Sequence, residues 1–246
     1  MRLVAGNWKM NGTPRTAEAL VRALAARLAG GTAAEVLLCP PFTLLERVVR
    51  AAAGTAFRVG AQDCSTEAAP GAFTGEVSAA MLAEVGCSAV IVGHSERRAR
   101  HAESDAQVRQ KAAHALAAGL LPLICVGETR AEREAGRAEA VVARQLAGSL
   151  PALDPSQGVV VAYEPVWAIG TGLTATPDDV GAMHARIRRE LRAIGGAAGK
   201  AAILYGGSVK AGNAAELFAV PEVAGALVGG ASLEAEGFAA IVEACR

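Results

Sequence analysis

The sequence predicts a parallel α/β barrel, (β/α)8, on three observations. Short apolar segments rich in branched residues alternate with segments of helical spacing along the whole 246-residue chain. Uninterrupted apolar runs suit strands buried on both faces, as in a parallel sheet covered by helices. Helix-start signals recur between those runs. Eight such units in about 250 residues is also the size of that barrel. Strand counting alone leaves an open doubly wound sheet as the competing topology.

Strands are expected at 3–6, 36–39, 57–61, 89–92, 121–126, 159–163, 202–205 and 226–228. Thr13-Pro14 offers an N-cap followed by proline in the first helical position, and Thr176-Pro177-Asp178-Asp179 repeats the device with acids in the first turn. Thr43 with Glu46, Ser104 with Gln107, and Thr129 with Glu132 have capping-box spacing. The last helix is expected over 233–244, and glycine or proline marks most exits.

Composition fits one domain over residues 1–246: 52% of residues are hydrophobic and 20% charged. The formal net charge is zero, so there is no electrostatic case for nucleic acid or an anionic membrane. No apolar run approaches the roughly 20 residues of a membrane span. The N-terminal stretch, Met1 to Asn7, is too short in apolar residues for a signal peptide. Five cysteines, odd in number and without a C-x-x-C pair, read as reduced thiols of a cytoplasmic protein. Of 24 basic residues only Lys9, Lys111, Lys200 and Lys210 are lysines. Lys9 is the one placed where a compact ammonium could serve chemistry.

Barrel chemistry collects where strands end. The first exit carries Asn7-Trp8-Lys9 and the fourth Gly93-His94-Ser95-Glu96-Arg97-Arg98. The sixth carries Glu164, followed by Pro165 and an apolar loop, Val166-Trp167-Ala168-Ile169, closed by Gly170-Thr171-Gly172. Loops normally face water and are polar, so an acid beneath an apolar, glycine-ended flap reads as a base under a lid; a loop packed permanently on the fold is the alternative. Singly, each exit has an ordinary structural reading. Together they bring a base, an imidazole, an ammonium and an amide to one mouth. Gly206-Gly207-Ser208 and Gly229-Gly230-Ala231-Ser232 add turns whose backbone N–H groups can approach an anion, and loops seven and eight form the phosphate site of such barrels. A small phosphorylated ligand is therefore expected.

No cofactor or metal is expected. Gly170 to Ala175 spells a dinucleotide-like G-x-G-x-x-A, but it does not open a helix directly after a strand. His94, His101, His114 and His184 have no zinc-like spacing.

These residues resemble the triosephosphate isomerase family over essentially the whole chain. The matching stretches, in order, are A-G-N-W-K-M-N-G, G-A-Q-D, G-A-F-T-G-E-V-S, V-G-H-S-E-R-R, C-V-G-E-T, A-Y-E-P-V-W-A-I-G-T-G, Y-G-G-S-V and V-G-G-A-S-L. The resemblance implies a TIM barrel that interconverts dihydroxyacetone phosphate and glyceraldehyde 3-phosphate through an enediol, in glycolysis and gluconeogenesis. It implies that Glu164 is the base, that His94 polarises the carbonyl, and that Lys9 and Asn7 stabilise developing charge. Backbone N–H groups of Gly170, Ser208, Gly229 and Gly230 would hold the phosphate. His94, at a helix start, is expected to be neutral. Supporting roles follow for Ser95, for Glu96 beside Lys9, for Cys125 near Glu164, and for Tyr205 and Ser208 as a latch on the flap. Thr74, in a loop spanning 70–77, would reach a partner subunit's site in a homodimer. Two departures from the family's usual pattern are Leu173 at the flap's far hinge, where lysine is usual, and Ala224-Gly225-Ala226 before the eighth exit. A Schiff-base aldolase would need Lys9 as nucleophile, and a non-catalytic sugar-phosphate-binding barrel would need neither Glu164 nor His94.

Overall fold

The computed structural model describes residues 2–170 and 173–246. Thr171 and Gly172, the end of the expected lid, lie outside the described residues. The strands are β1 (Leu3–Asn7), β2 (Glu35–Cys39), β3 (Phe57–Ala61), β4 (Ala89–Val92), β5 (Leu121–Val126), β6 (Val160–Tyr163), β7 (Ala202–Tyr205) and β8 (Gly225–Val228). Each pairs in parallel with the next, and β8 pairs with β1, closing the barrel. The helices are α1 (Pro14–Arg27), α2 (Leu45–Ala52), α3 (Ala79–Val85), α4 (Ser95–Arg100), α5 (Asp105–Ala117), α6 (Arg130–Glu134), α7 (Ala138–Ser149), α8 (Pro177–Ile194), α9 (Ala211–Phe218) and α10 (Ala235–Ala244). The open doubly wound alternative is thereby excluded. Among the described residues no helix is long and apolar enough to cross a membrane.

Local chemistry sets most helix starts. Thr13 caps α1 in a box with Thr16, Ser104 caps α5 with Gln107, Thr129 caps α6 with Glu132, and Thr176 caps α8 with Asp179. The expected Thr43–Glu46 box does not form. Pro41, with φ −55 and ψ 153, starts a 3-10 turn over Phe42–Leu44, and α2 begins after it without a side-chain cap. Thr43 lies inside that turn and cannot adopt the extended backbone that an N-cap needs. Likewise α10 starts at Ala235, two residues after the expected position, because Gly230–Leu233 forms a 3-10 turn first.

Two apolar layers hold the barrel. Alternate strand residues, among them Leu3, Ala5, Leu37, Ile91, Leu123, Val160, Ala162, Leu204 and Leu227, fill the interior. Their neighbours, such as Val4, Val90, Val161 and Ile203, face the helices. This two-residue period decides which side chains emerge at the mouth.

One buried polar group sets a pH limit on the fold. His184 of α8 packs edge-on to Tyr163, with ring centroids 6.0 Å apart. Its Nδ1 lies 3.2 Å from the Glu222 carbonyl oxygen, so Nδ1 carries the proton and donates it. Nε2 is buried without a hydrogen-bond partner. Burial therefore pulls the imidazole pKa from 6.5 to about 4. The unfolded chain takes up this proton near pH 6.5 and the folded chain only near 4. The stabilisation is complete above about pH 6.5 and declines as pH falls through that window, by up to about 3 kcal/mol. His184→Gln, which keeps an N–H for Glu222, should flatten the fall in Tm between pH 7 and 4.5 seen by calorimetry. A variant whose Tm falls in parallel with the unsubstituted protein would clear His184 of this effect.

Candidate active site

Strand periodicity delivers the reactive groups. Val160 and Ala162 point inward, and Glu164 follows them at the exit of β6; Leu3 and Ala5 lead to Asn7 in the same way, and Leu227 to Gly229. The backbone of Glu164 is gripped on both sides. Its N–H donates to the Val126 carbonyl at 2.8 Å, and the next N–H across, from Gly206, donates to Tyr163 O at 2.7 Å. Neighbouring glycines leave room for it. A Cβ on Gly127 would stand 1.7 Å from the Glu164 carbonyl oxygen, and one on Gly206 would stand 2.9 Å from Glu164 Cγ.

Asn7, Lys9, His94 and Glu164 line one cleft of about 260 Å³, together with Gly170, Ser208, Gly229 and Gly230. The catalytic and phosphate-binding residues expected from sequence are thus brought together. Glu164 is 2% exposed and His94 6%, so their interaction is nearly dry. One carboxylate oxygen of Glu164 lies 2.9 Å from His94 Nε2, and the other accepts the Ser95 N–H at 2.8 Å. His94 caps α4, its Nδ1 accepting the Glu96 N–H at 3.2 Å. An accepting Nδ1 places the ring proton on Nε2, facing the cleft.

The expectation that His94 is neutral meets an opposing term. Burial lowers its pKa, but the Glu164 carboxylate outweighs burial, and the pKa stands above the ordinary value. Burial and the Glu164 charge both push the Cys125 thiol upward, which keeps this fully buried group protonated next to Glu164. Glu96 receives the Lys9 ammonium at 2.6 Å. Burial would raise the Glu96 pKa, yet the Lys9 hydrogen bond and the nearby His94 and Lys9 charges hold it below the usual carboxylate range.

Lys9 adopts φ 51, a left-handed conformation uncommon for a residue with a side chain. Its N–H donates to Asn7 Oδ1 at 3.0 Å, and its carbonyl accepts Gln62 Nε2 at 2.8 Å. Gln62 also donates to the Cys39 carbonyl at 2.9 Å, so one amide ties the first loop to the end of β2. The Lys9 stem runs past the turn after β8, with Cε 3.4 Å from where a Cβ of Gly229 would stand.

The first half of the flap is tied down. Val166–Ala168 forms a 3-10 turn, and Ala168 is fully buried. Trp167 Nε1 donates to Glu128 Oε1 at 2.8 Å while Arg133 stacks 4.5 Å from the Trp167 ring centroid. Glu128, itself fully buried, also accepts the Tyr163 hydroxyl at 3.1 Å and the Val166 N–H through its own carbonyl at 3.1 Å. At the far side, the buried Tyr205 hydroxyl lacks a well-formed hydrogen bond and faces the backbone of Ala175. Leu173 is 47% exposed. Thr74 is exposed in its loop and does not line the cleft of its own chain.

Gln62 and Glu128 were given no role from sequence. Each follows a strand exit within a few residues, which is the signal that could have marked them. Their partners lie too far away in sequence for spacing to reveal. Among the departures, Gly225 has φ 142, and a Cβ there would stand 1.9 Å from Leu3 O. Ala226 is fully buried and pairs in register with Val4, so β8 forms normally despite the unusual sequence.

Comparison with known proteins agrees with this architecture. The triosephosphate isomerase family model matches residues 2–245. A protein of Acidiphilium cryptum named triosephosphate isomerase is 57% identical, covering 99% of this chain and 98% of its own. One of Herpetosiphon aurantiacus with the same name is 56% identical, covering 98% and 97%. The crystal structure of triosephosphate isomerase from Bartonella henselae superposes with a TM-score of 0.89 at 44% identity, covering 99% of this chain and 98% of that one. A closed eight-stranded barrel, a dry Glu–His pair at its mouth and full-length similarity of this degree place the chain in the triosephosphate isomerase family.

Proposed function

We infer that the cleft interconverts dihydroxyacetone phosphate and glyceraldehyde 3-phosphate by moving a proton between adjacent carbons through an enediolate, a step of glycolysis and gluconeogenesis. The observation that carries this reading is the Glu164 carboxylate held between His94 Nε2 and the Ser95 N–H, in the same cleft as Lys9 and two glycine turns. Both carboxylate oxygens are engaged by these donors. To act, Glu164 leaves these two donors and turns toward the substrate carbon. The released carboxylate is then dried and aimed, which favours proton abstraction. His94 Nε2–H, freed by the same move, donates to the substrate oxygens, where preorganised donors stabilise the developing enediolate better than water does. Asn7 and the Lys9 ammonium add positive potential beside those oxygens. N–H groups of Gly170, Ser208, Gly229 and Gly230 hold the phosphate, and the flap keeps water off the intermediate. The Lys9–Glu96 pair suits an electrostatic role for Lys9 rather than a nucleophilic one.

The chain works as a homodimer in this reading. Met10 is 95% exposed, Phe73 44% and Met81 52%, an unusual display of apolar bulk. Beside the active cleft lies a groove of about 320 Å³ lined by Lys9, Met10, Phe42, Gln62, Glu96 and Arg97. In this reading the loop over 70–77 of a second copy, led by Phe73 and Thr74, occupies it. The five cysteines are free and buried, which supports a cytoplasmic location.

Incubation with dihydroxyacetone phosphate in D₂O should give glyceraldehyde 3-phosphate carrying solvent deuterium, followed by NMR. Glu164→Asp withdraws the base by one methylene, and kcat should fall about 10²-fold. A kcat within a few-fold of the unsubstituted enzyme would remove Glu164 from the role. Glu164→Gln should lower the His94 pKa, because burial remains while the opposing carboxylate is gone; NMR titration of the imidazole reads this, and an unmoved value would break the proposed coupling. Sedimentation at micromolar concentration should show a dimer, and a fully active monomer would overturn the assembly.

A further inference from the structure

We propose that Ser232 is a positioning residue that aims the phosphate-binding turn after β8. The inference rests on the reading of Gly229 and Gly230 as phosphate donors and extends it to a side chain behind them. Ser232 is completely buried and does not line the cleft. Its hydroxyl donates to the Gly229 carbonyl oxygen at 2.7 Å, and its backbone N–H donates to the same oxygen at 2.8 Å. That carbonyl is therefore pinned by two donors on the side away from substrate.

The consequence comes from peptide geometry. The Gly229 carbonyl and the Gly230 N–H belong to one planar trans unit, in which oxygen and hydrogen point in opposite directions. Fixing the oxygen toward Ser232 fixes the Gly230 N–H toward the cleft that Gly230 lines. Glycine would otherwise leave this plane free to rotate. The serine itself is immobilised. A Cβ on Gly6 would stand 2.9 Å from Ser232 Cβ and 3.1 Å from Phe238 Cζ, so β1 and α10 press on the site from behind. Ser232 cannot swing away, and the turn is aimed before any ligand arrives. Lys9 meets the other face of the same turn through its Cε.

A hydroxyl that merely closed a helical turn would support the fold and favour no part of the substrate. The two roles separate when phosphorylated and unphosphorylated substrates are compared. Ser232→Ala should raise the inhibition constant of inorganic phosphate and the KM for dihydroxyacetone phosphate about three- to tenfold, the effect of one ordinary hydrogen bond, with kcat changing less. The ratio of kcat/KM for glyceraldehyde 3-phosphate over glyceraldehyde should fall by a similar factor. Ser232→Cys, which keeps a weak donor of similar shape, should lie between. Phosphate inhibition equal to that of the unsubstituted enzyme, or an unchanged substrate ratio, would overturn the proposal. An unsubstituted enzyme that phosphate fails to inhibit would instead overturn the underlying assignment of the turn.

Discussion

The seam between β8 and β1 is the contact on which the mouth of this barrel depends. Seven of the strand pairings join consecutive strands, and only this one joins the two ends of the chain. Leu3 N–H reaches Ala224 O at 3.0 Å, and Leu3 stands in register with Gly225. The approach is so close that only glycine fits at 225. Closure removes the two exposed edges an open sheet would carry. It also makes neighbours of Asn7, Lys9 and the Gly229 turn, which come from opposite ends of the sequence. An amide, an ammonium and a glycine turn meet because the barrel shuts there.

Within that frame the site balances burial against charge. Removing water from Glu164 and His94 makes each charge costly, and the chain offsets this with partners instead of solvent. The start of α4 supplies two N–H groups, one to the base and one to the imidazole. Each partner also restrains the group it satisfies. Glu164 is held by the very imidazole that, in the proposed reaction, later faces substrate. In the proposed reaction, catalysis then begins with an exchange of hydrogen bonds, with little polar surface meeting water.

Sequence reading succeeded where the cause of structure is local. The N-caps expected at Thr13 and Thr176 and the boxes expected at Ser104 and Thr129 all form, each joining residues three apart. The strands over Phe57–Ala61, Ala89–Val92, Leu121–Val126 and Ala202–Tyr205 fall where apolar runs placed them. Thr43 failed because Pro41, two residues before it, starts a different turn. Glycine turns and charged exits were legible because few residue types suit those positions. Gln62, by contrast, acts on Lys9 and Cys39, 53 and 23 residues away. Glu128 binds Trp167 across 39 residues. Glutamine and glutamate after a strand have many uses, and only the folded geometry selects one.

The backbone of Lys9 carries a further implication for how this enzyme can be improved. A left-handed conformation costs a residue with a side chain roughly 1–2 kcal/mol, whereas glycine takes it freely. The chain sustains that strain at the position whose ammonium, in the proposed function, serves the turn after β8, bracing it with Asn7 and Gln62. Selection for heat resistance alone would favour glycine or asparagine at this site and lose the cation. Thermal robustness and turnover are therefore in conflict at Lys9, and any gain in the first has to be sought elsewhere in the barrel.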